Sequence, residues 1–156
     1  MNQSLLLLAK IENNQFEDVQ IIDLKKKLEE KFLDFQELWQ AQSIALHTDL
    51  QEACVKMNNE LADLLLNNFL SNATKHNYSG GSIIINLTKT QLTVSNSSRE
   101  TALDPEKMFQ RFYKSSSNSA NNGLGLSIVK QICEASGFAI HYTYHNGDHT
   151  FIIHYQ

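Results

Sequence analysis

Gly123-Leu124-Gly125-Leu126-Ser127-Ile128-Val129-Lys130 is the stretch from which the rest of the chain can be read. Two glycines leave the backbone unhindered, and Leu126 to Cys133 then continues as a helix until Gly137 stops it. Uncrowded N–H groups and a helix N-terminus thus face outward together, a geometry that suits an anionic phosphate. A plain turn has the same pattern, and no G-K-[ST] follows, so the stretch is not a Walker A loop.

Upstream, Asn96 to Asn122 is polar and holds the only proline, Pro105, broken by the apolar pairs Met108-Phe109 and Phe112-Tyr113. The pattern predicts a long functional loop with one anchored turn. Before it, Ile83 to Leu87 and Leu92 to Val94 flank a short polar link and predict an antiparallel hairpin after the Ser79-Gly80-Gly81 turn. A helix is predicted from Asn59 to Asn77, with Leu61, Leu64, Leu65, Phe69, Ala73 and His76 forming its buried stripe. Earlier still, strands are expected at Val19–Leu24, Ser43–Thr48 and Glu52–Met57. A helix over Lys25–Trp39 presents Leu28, Phe32, Phe35, Leu38 and Trp39. Downstream, Ile140–Tyr144 and Phe151–Tyr155 are joined through Asn146-Gly147-Asp148, a second hairpin by its turn chemistry. The expected sum is an α+β chain: a mixed sheet with helices on one face.

The chain has 156 residues, 42% hydrophobic and 19% charged, the size and balance of one globular domain. A net charge of −4 argues against nucleic acid as partner, which needs a basic face. Lys25, Lys26 and Lys27 are followed by Glu29 and Glu30 at helical spacing, the pattern of a solvated helix face. Cys54 and Cys133 form no C-x-x-C pair and read as small buried hydrophobes. Leu5 to Ala9 is far shorter than the ~20 residues of a membrane span. This leucine-rich opening, ending at Asn13-Asn14, reads as the last part of a longer helix packed on a partner.

Chemistry concentrates in Asn68-Phe69-Leu70-Ser71-Asn72-Ala73-Thr74-Lys75-His76. Asn68 and Asn72 share one helix face, with Lys75 a turn away. A carboxamide oxygen is a neutral, hard ligand able to take Mg²⁺ alongside phosphate oxygens and water, and Lys75 offers a point charge to phosphate. Taken alone, N-x-x-x-N is more often an exposed polar face. His47, His141 and His154 fall in strand-like runs, and His145 and His149 flank a turn. No H-x-x-H cluster suggests a metal.

The order of motifs carries a resemblance. Asn68 to His76 resembles the N box of the histidine kinase catalytic domain, Phe109-Gln110-Arg111-Phe112-Tyr113-Lys114 its F box, and Gly123 to Lys130 its second glycine box. The resemblance covers about residues 16 to 155, and Leu5 to Phe16 is similar to the tail of the family's dimerisation and phosphotransfer hairpin. It implies residues 1–15 as the end of that helix and 16–156 as an ATP-binding catalytic domain with a lid at about 97–122. The implied fold is a two-layer α/β sandwich whose mostly antiparallel sheet is covered by helices on one face. The implied ligands are ATP and Mg²⁺. Asn72 would hold the Mg²⁺, with Asn68 beside it. Lys75, His76, Asn96 and Lys114 would line the nucleotide, as would Gly123, Leu124, Gly125 and Leu126. Phe109, Arg111 and Phe112 would anchor the lid. The implied partners are the phosphotransfer and dimerisation domain of the same protein and, indirectly, a response regulator. The parent would be a homodimer, this part cytoplasmic, with the inner membrane as a place for the parent's anchor.

Two departures matter. Where the family's first glycine box has Asp-x-Gly-x-Gly, this chain has Asn96-Ser97-Ser98-Arg99-Glu100. Asn96 keeps an acceptor for the adenine amino group but loses the charge, and a neutral hydrogen bond is roughly half as strong. Secondly, no His-Glu or His-Asp pair lies on an early helix, so the phosphoryl acceptor is absent. The leading expectation is an Mg-ATP-holding part of a histidine kinase that does not autophosphorylate alone. A degenerate, non-catalytic interaction domain of the same fold is the alternative. A gyrase- or chaperone-type ATPase would need a glutamate where Asn68 stands.

Overall fold

The computed structural model describes residues 3–13, 16, 18–99, 102–104, 107–109 and 125–155. Its elements run α1 (Gln3–Glu12), β1 (Val19–Asp23), α2 (Leu24–Ala41), β2 (Ala45–Leu50), β3 (Cys54–Asn58), α3 (Asn59–Lys75), β4 (Ser82–Leu87), β5 (Gln91–Ser97), α4 (Gly125–Ser136), β6 (Ala139–His145) and β7 (Asp148–His154). Strands β2-β4-β5-β7-β6 form one five-stranded sheet, antiparallel except where β2 runs parallel to β4. Strands β1 and β3 pair only with each other, as a separate antiparallel ribbon, and do not extend the main sheet as a single mixed sheet would require.

Alternation fixes which face of the sheet is covered. Ile83, Ile85 and Leu87 of β4, Leu92 and Val94 of β5, and Phe151 and Ile153 of β7 are buried, while Ile84 between them is 40% exposed. The period of two sends the first set under the helices and the second to the open face. Phe69 of α3 meets Phe151 at 6.0 Å between ring centroids. Helix α4 packs along α3, and α1 packs on α4 with Leu8 and Ile11 buried in this chain's own core.

The buried stripe of α3 is wider than its periodicity predicts: Ala62, Leu66 and Leu70 join Leu61, Leu65, Phe69 and Ala73, while Leu64 and His76 are only half-buried. Helix α2 leans on α3 through Trp39, whose indole N–H donates to Thr74 Oγ1 at 2.9 Å, and the Thr74 hydroxyl donates to the Leu70 carbonyl at 2.6 Å. Leu38, expected in that face, is 44% exposed. Helices α2 and α4 end alike. Ile44 N–H reaches the Trp39 carbonyl at 2.9 Å and Phe138 N–H the Cys133 carbonyl at 2.8 Å, each across a left-handed residue. In α4 that residue is the expected Gly137 (φ 75), but in α2 it is Ser43 (φ 55).

Two readings of polar residues are corrected. The lysine run is more than a solvated face: Lys27 Nζ lies 2.9 Å and Lys31 Nζ 3.4 Å from Asp63 Oδ1, clamping α2 to α3, and Lys25 Nζ is 3.6 Å from Glu52. Partial burial pushes the Asp63 carboxyl up, but the Lys27 hydrogen bond and the Lys31 and Lys27 charges outweigh it and hold it below 3.8. A depressed folded value stabilises above the unfolded value and loses that contribution as pH falls through the folded one. The stability difference between wild type and Asp63→Asn, followed by urea melts, should therefore be present at neutral pH and vanish in acid below the ordinary carboxylate range. Cys54 is exposed, because it sits on the outer face of the β1–β3 ribbon. Cys133 is fully buried, and burial pushes its thiol up to about 12.

Candidate functional site

Helix α3 is fixed at its start by the Asn58 side chain, which accepts the Leu61 N–H at 3.1 Å, and Glu60 complements the helix dipole there. Its last turns carry the amides singled out from sequence. Asn68 Nδ2 donates to the Leu64 carbonyl at 2.7 Å, which leaves Oδ1 as the acceptor of that side chain. Asn72 is 8% exposed, and its backbone carbonyl accepts the His76 N–H at 3.1 Å, closing the helix. Lys75 is exposed and His76 half-buried at the cap.

The end of α3 is locked over one end of the sheet. Asn77 Nδ2 donates to the Ser82 carbonyl at 2.8 Å, Ser97 Oγ–H donates to Asn77 Oδ1 at 2.7 Å, and Ser82 N–H donates to Ser97 Oγ at 2.8 Å. This triangle joins the helix exit, the start of β4 and the end of β5. A Cβ on Gly81 would run into Asn77 Oδ1 and sit 2.5 Å from Ser97 Oγ. Both atoms are held in the triangle, so Gly81→Ala must break hydrogen bonds to make room. It should destabilise by about 1–3 kcal/mol in a denaturant melt.

Below that helix end, β5 delivers Asn96 to the covered face in series with Leu92 and Val94. Asn96 is 2% exposed, and its Nδ2 donates to the Ser97 carbonyl at 3.0 Å. Its Cα partner on β7 is His149, 4% exposed, which sequence reasoning placed at the flank of a turn and gave no role. His149 Nδ1 is 2.7 Å from Tyr142 Oη, and that oxygen accepts the Leu103 N–H at 3.0 Å. Asn146 (φ 50) and Gly147 (φ 87) form a two-residue turn, so β6 and β7 pair through to His145 and Asp148, and His149 falls on the inward phase. The pairing partner, not the local sequence, carries that signal.

Helix α4 opens at Gly125, with Gly125 and Leu126 half-buried and Ser127 buried. Phe109 is half-buried, edge-on to Phe151 at 6.5 Å, and Lys130 Nζ lies 5.6 Å from its ring centroid. Met108 beside it is buried. Lys114, Arg111, Phe112, Gly123 and Leu124, with most of the expected lid, lie outside the described residues. Among the described residues, no group of three His, Cys, Asp or Glu side chains is gathered to hold a metal, and no helix is long and apolar enough to cross a membrane.

Helices stacked on one face of a mostly antiparallel sheet, with polar side chains gathered where α3 ends above β5, define the class as a two-layer α+β ATPase-type domain. The chain belongs to the histidine kinase-, DNA gyrase B- and HSP90-like ATPase family, whose model matches residues 57–156. The heme sensor protein HssS of Staphylococcus aureus (strain Newman) is 32% identical over 94% of this chain and 33% of its own length. The chain thus spans about a third of the curated relatives it matches. The catalytic domain of histidine kinase ThkA superposes with a TM-score of 0.76 at 23% identity, covering 88% of this chain and 95% of that one. Full-length ShkA in complex with AMPPNP superposes at 0.78 and 17% identity, covering 97% of this chain and 34% of that one. These superpositions bear out the α+β sandwich expected from the motifs.

Proposed function

We propose that the chain is the Mg-ATP-binding catalytic part of a sensor histidine kinase, donating the γ-phosphoryl group to a histidine on a phosphotransfer and dimerisation domain of the same protein. A response regulator is the next acceptor. The observation that carries this reading is that buried Asn72, on the last turns of α3, and buried Asn96, on the end of β5, lie on two elements tied together by the hydrogen bonds among Asn77, Ser82 and Ser97. The donor set fits magnesium, since the described residues offer amide oxygens and no carboxylate cluster, the pattern of an ion ligated mostly by its nucleotide and water.

In this reading Asn72 would hold the ion, with Asn68, its amide oriented by the Leu64 carbonyl, beside it on the same helix face. Mg²⁺ bound there would neutralise charge on the phosphate oxygens of the nucleotide. Lys75 would contact the phosphates, and His76 and Lys114 would line the nucleotide. Gly123, Leu124, Gly125 and Leu126 bring backbone N–H groups and the start of α4 to the same anion. Asn96 accepts from the base. Phe109, Arg111 and Phe112 anchor the lid, Phe109 against Phe151 and Lys130. The protein's part is positioning for in-line transfer and charge stabilisation.

Calorimetric titration of the 156-residue chain with Mg-AMPPNP tests this. Saturable heat and a raised melting temperature are expected, with no self-phosphorylation from Mg-ATP. A folded protein that gives neither heat nor a melting shift refutes the assignment and leaves the non-catalytic interaction domain, which the exchange of Asp for Asn96 favours.

A further inference from the structure

The open face of the sheet, away from the helices and the nucleotide site, carries a pair of histidines with no part in the reading above. Along β6, Ile140 and Tyr142 point to the covered face and Ala139, His141 and Thr143 to the open one; along β7, Phe151 and Ile153 are buried while Ile152 and His154 face the other way. His141 is the Cα partner of Ile152 and His154 of Ala139, so the two histidines are diagonal neighbours on one face. With only the methyl group of Ala139 opposite it, His154 meets His141 instead: their ring centroids are 5.3 Å apart, with the planes at 71°. The Asn146-Gly147 turn brings the two together from distant positions in the chain, so no short H-x-x-H spacing announces them.

We propose that His141 and His154 form a bidentate site for a divalent transition-metal ion, Zn²⁺ or Ni²⁺, at the β6 edge of the sheet. The ring separation is the one a shared ion imposes. Two imidazoles that each give a nitrogen to a tetrahedral ion at ~2.0–2.1 Å place their ring centres about 5.2 Å apart, because each centre lies ~1.2 Å behind its nitrogen. Among the described residues neither ring is taken by a hydrogen bond or an ion pair. β7 is held in the ladder by β5 on one side and β6 on the other, so the Cα positions are set before an ion arrives. The described residues gather no third histidine, cysteine or carboxylate there, so water fills the remaining positions and the ion exchanges readily. Imidazole nitrogens without a carboxylate favour Zn²⁺ and Ni²⁺ over Mg²⁺, which takes oxygen ligands. The site is thus chemically separate from the amides of α3. An ion bound to both rings clips β6 to β7 and stabilises the folded chain by linkage.

The test titrates the full chain with Zn²⁺ and with Ni²⁺ in excess Mg²⁺, without nucleotide, by calorimetry. The variants are His141→Ala, His154→Ala and the two combined; His47→Ala, His145→Ala and Cys54→Ser, at other exposed ligands, are the controls. Wild type should bind either metal saturably, with Mg²⁺ no competitor. Each single variant should lose about tenfold or more in affinity, because a second ligand on the same sheet acts at high effective concentration. The combined variant should lose little more than either one, since removing one arm already ends the chelate. Zn²⁺ at a hundredfold excess over Kd should raise the melting temperature of wild type by roughly 5–10 °C, and that of the histidine variants far less. Should His154→Ala not fold, His141→Ala, on the exposed edge strand, decides. Unchanged affinity in the histidine variants, an equal loss in a control, or fully additive losses in the combined variant overturn the proposal, whatever the outcome with Mg-AMPPNP.

Discussion

Asn72→Ala should reduce Mg-dependent binding of AMPPNP by about two orders of magnitude, the scale seen when a metal's protein shell is damaged. The residue is 8% exposed at the end of α3, where its backbone carbonyl, not its side chain, closes the helix through His76. Alanine keeps that backbone bond and is the better helix former, so the melting temperature of the free protein should hardly change. Loss of affinity without loss of stability separates a ligand role from a packing role. Titrations with Mg²⁺ and with EDTA provide the control: wild type should lose affinity on chelation, and the variant should have little left to lose. Equal affinity of variant and wild type in Mg²⁺ would remove Asn72 from the metal site.

Phe151→Ala should have the largest effect on stability. Its ring is 2% exposed and is met by Phe69 at 6.0 Å, Tyr142 at 5.1 Å and Phe109 at 6.5 Å. Truncating a buried phenylalanine costs about 3–5 kcal/mol through lost transfer energy and the cavity left behind. For a chain of this size that is a fall of roughly 6–20 °C in melting temperature. Ile84→Ala is the matched control, on the open face at 40% exposure, and should shift stability by under about 1 kcal/mol. If the two variants melt together, the assignment of the covered face is wrong.

Local periodicity read well wherever both partners of a pairing lie close in sequence. The β4–β5 and β6–β7 hairpins and helices α2, α3 and α4 all follow from spacing and turn residues. What it missed depends on distant partners. Nothing near Val19 or Cys54 tells that their strands pair only with each other, and so Cys54 was expected inside. Lys27 reads as solvated until α3 brings Asp63 within 2.9 Å. Ser43 takes a left-handed conformation usually left to glycine, so the end of α2 read as the beginning of a strand. Of the residues proposed for the site, Asn68, Asn72 and Asn96 are marked by motif order. The contact between His149 and Tyr142 is not legible in the sequence, since it arises from β7 lying between β5 and β6.

The Asn77–Ser82–Ser97 triangle has a consequence for how the molecule breathes. One corner follows the end of α3 and the other two lie on β4 and β5, and the Ser82 amide is itself one of the bonds, ending on Ser97 Oγ at 2.8 Å. Fraying of the last turn of α3 therefore cannot proceed independently of the sheet margin beneath it. Solvent hydrogen should exchange into the Ser82 amide only in the deep openings that also release the β4–β5 ladder, so the floor of the site belongs to the slowest-opening part of the protein.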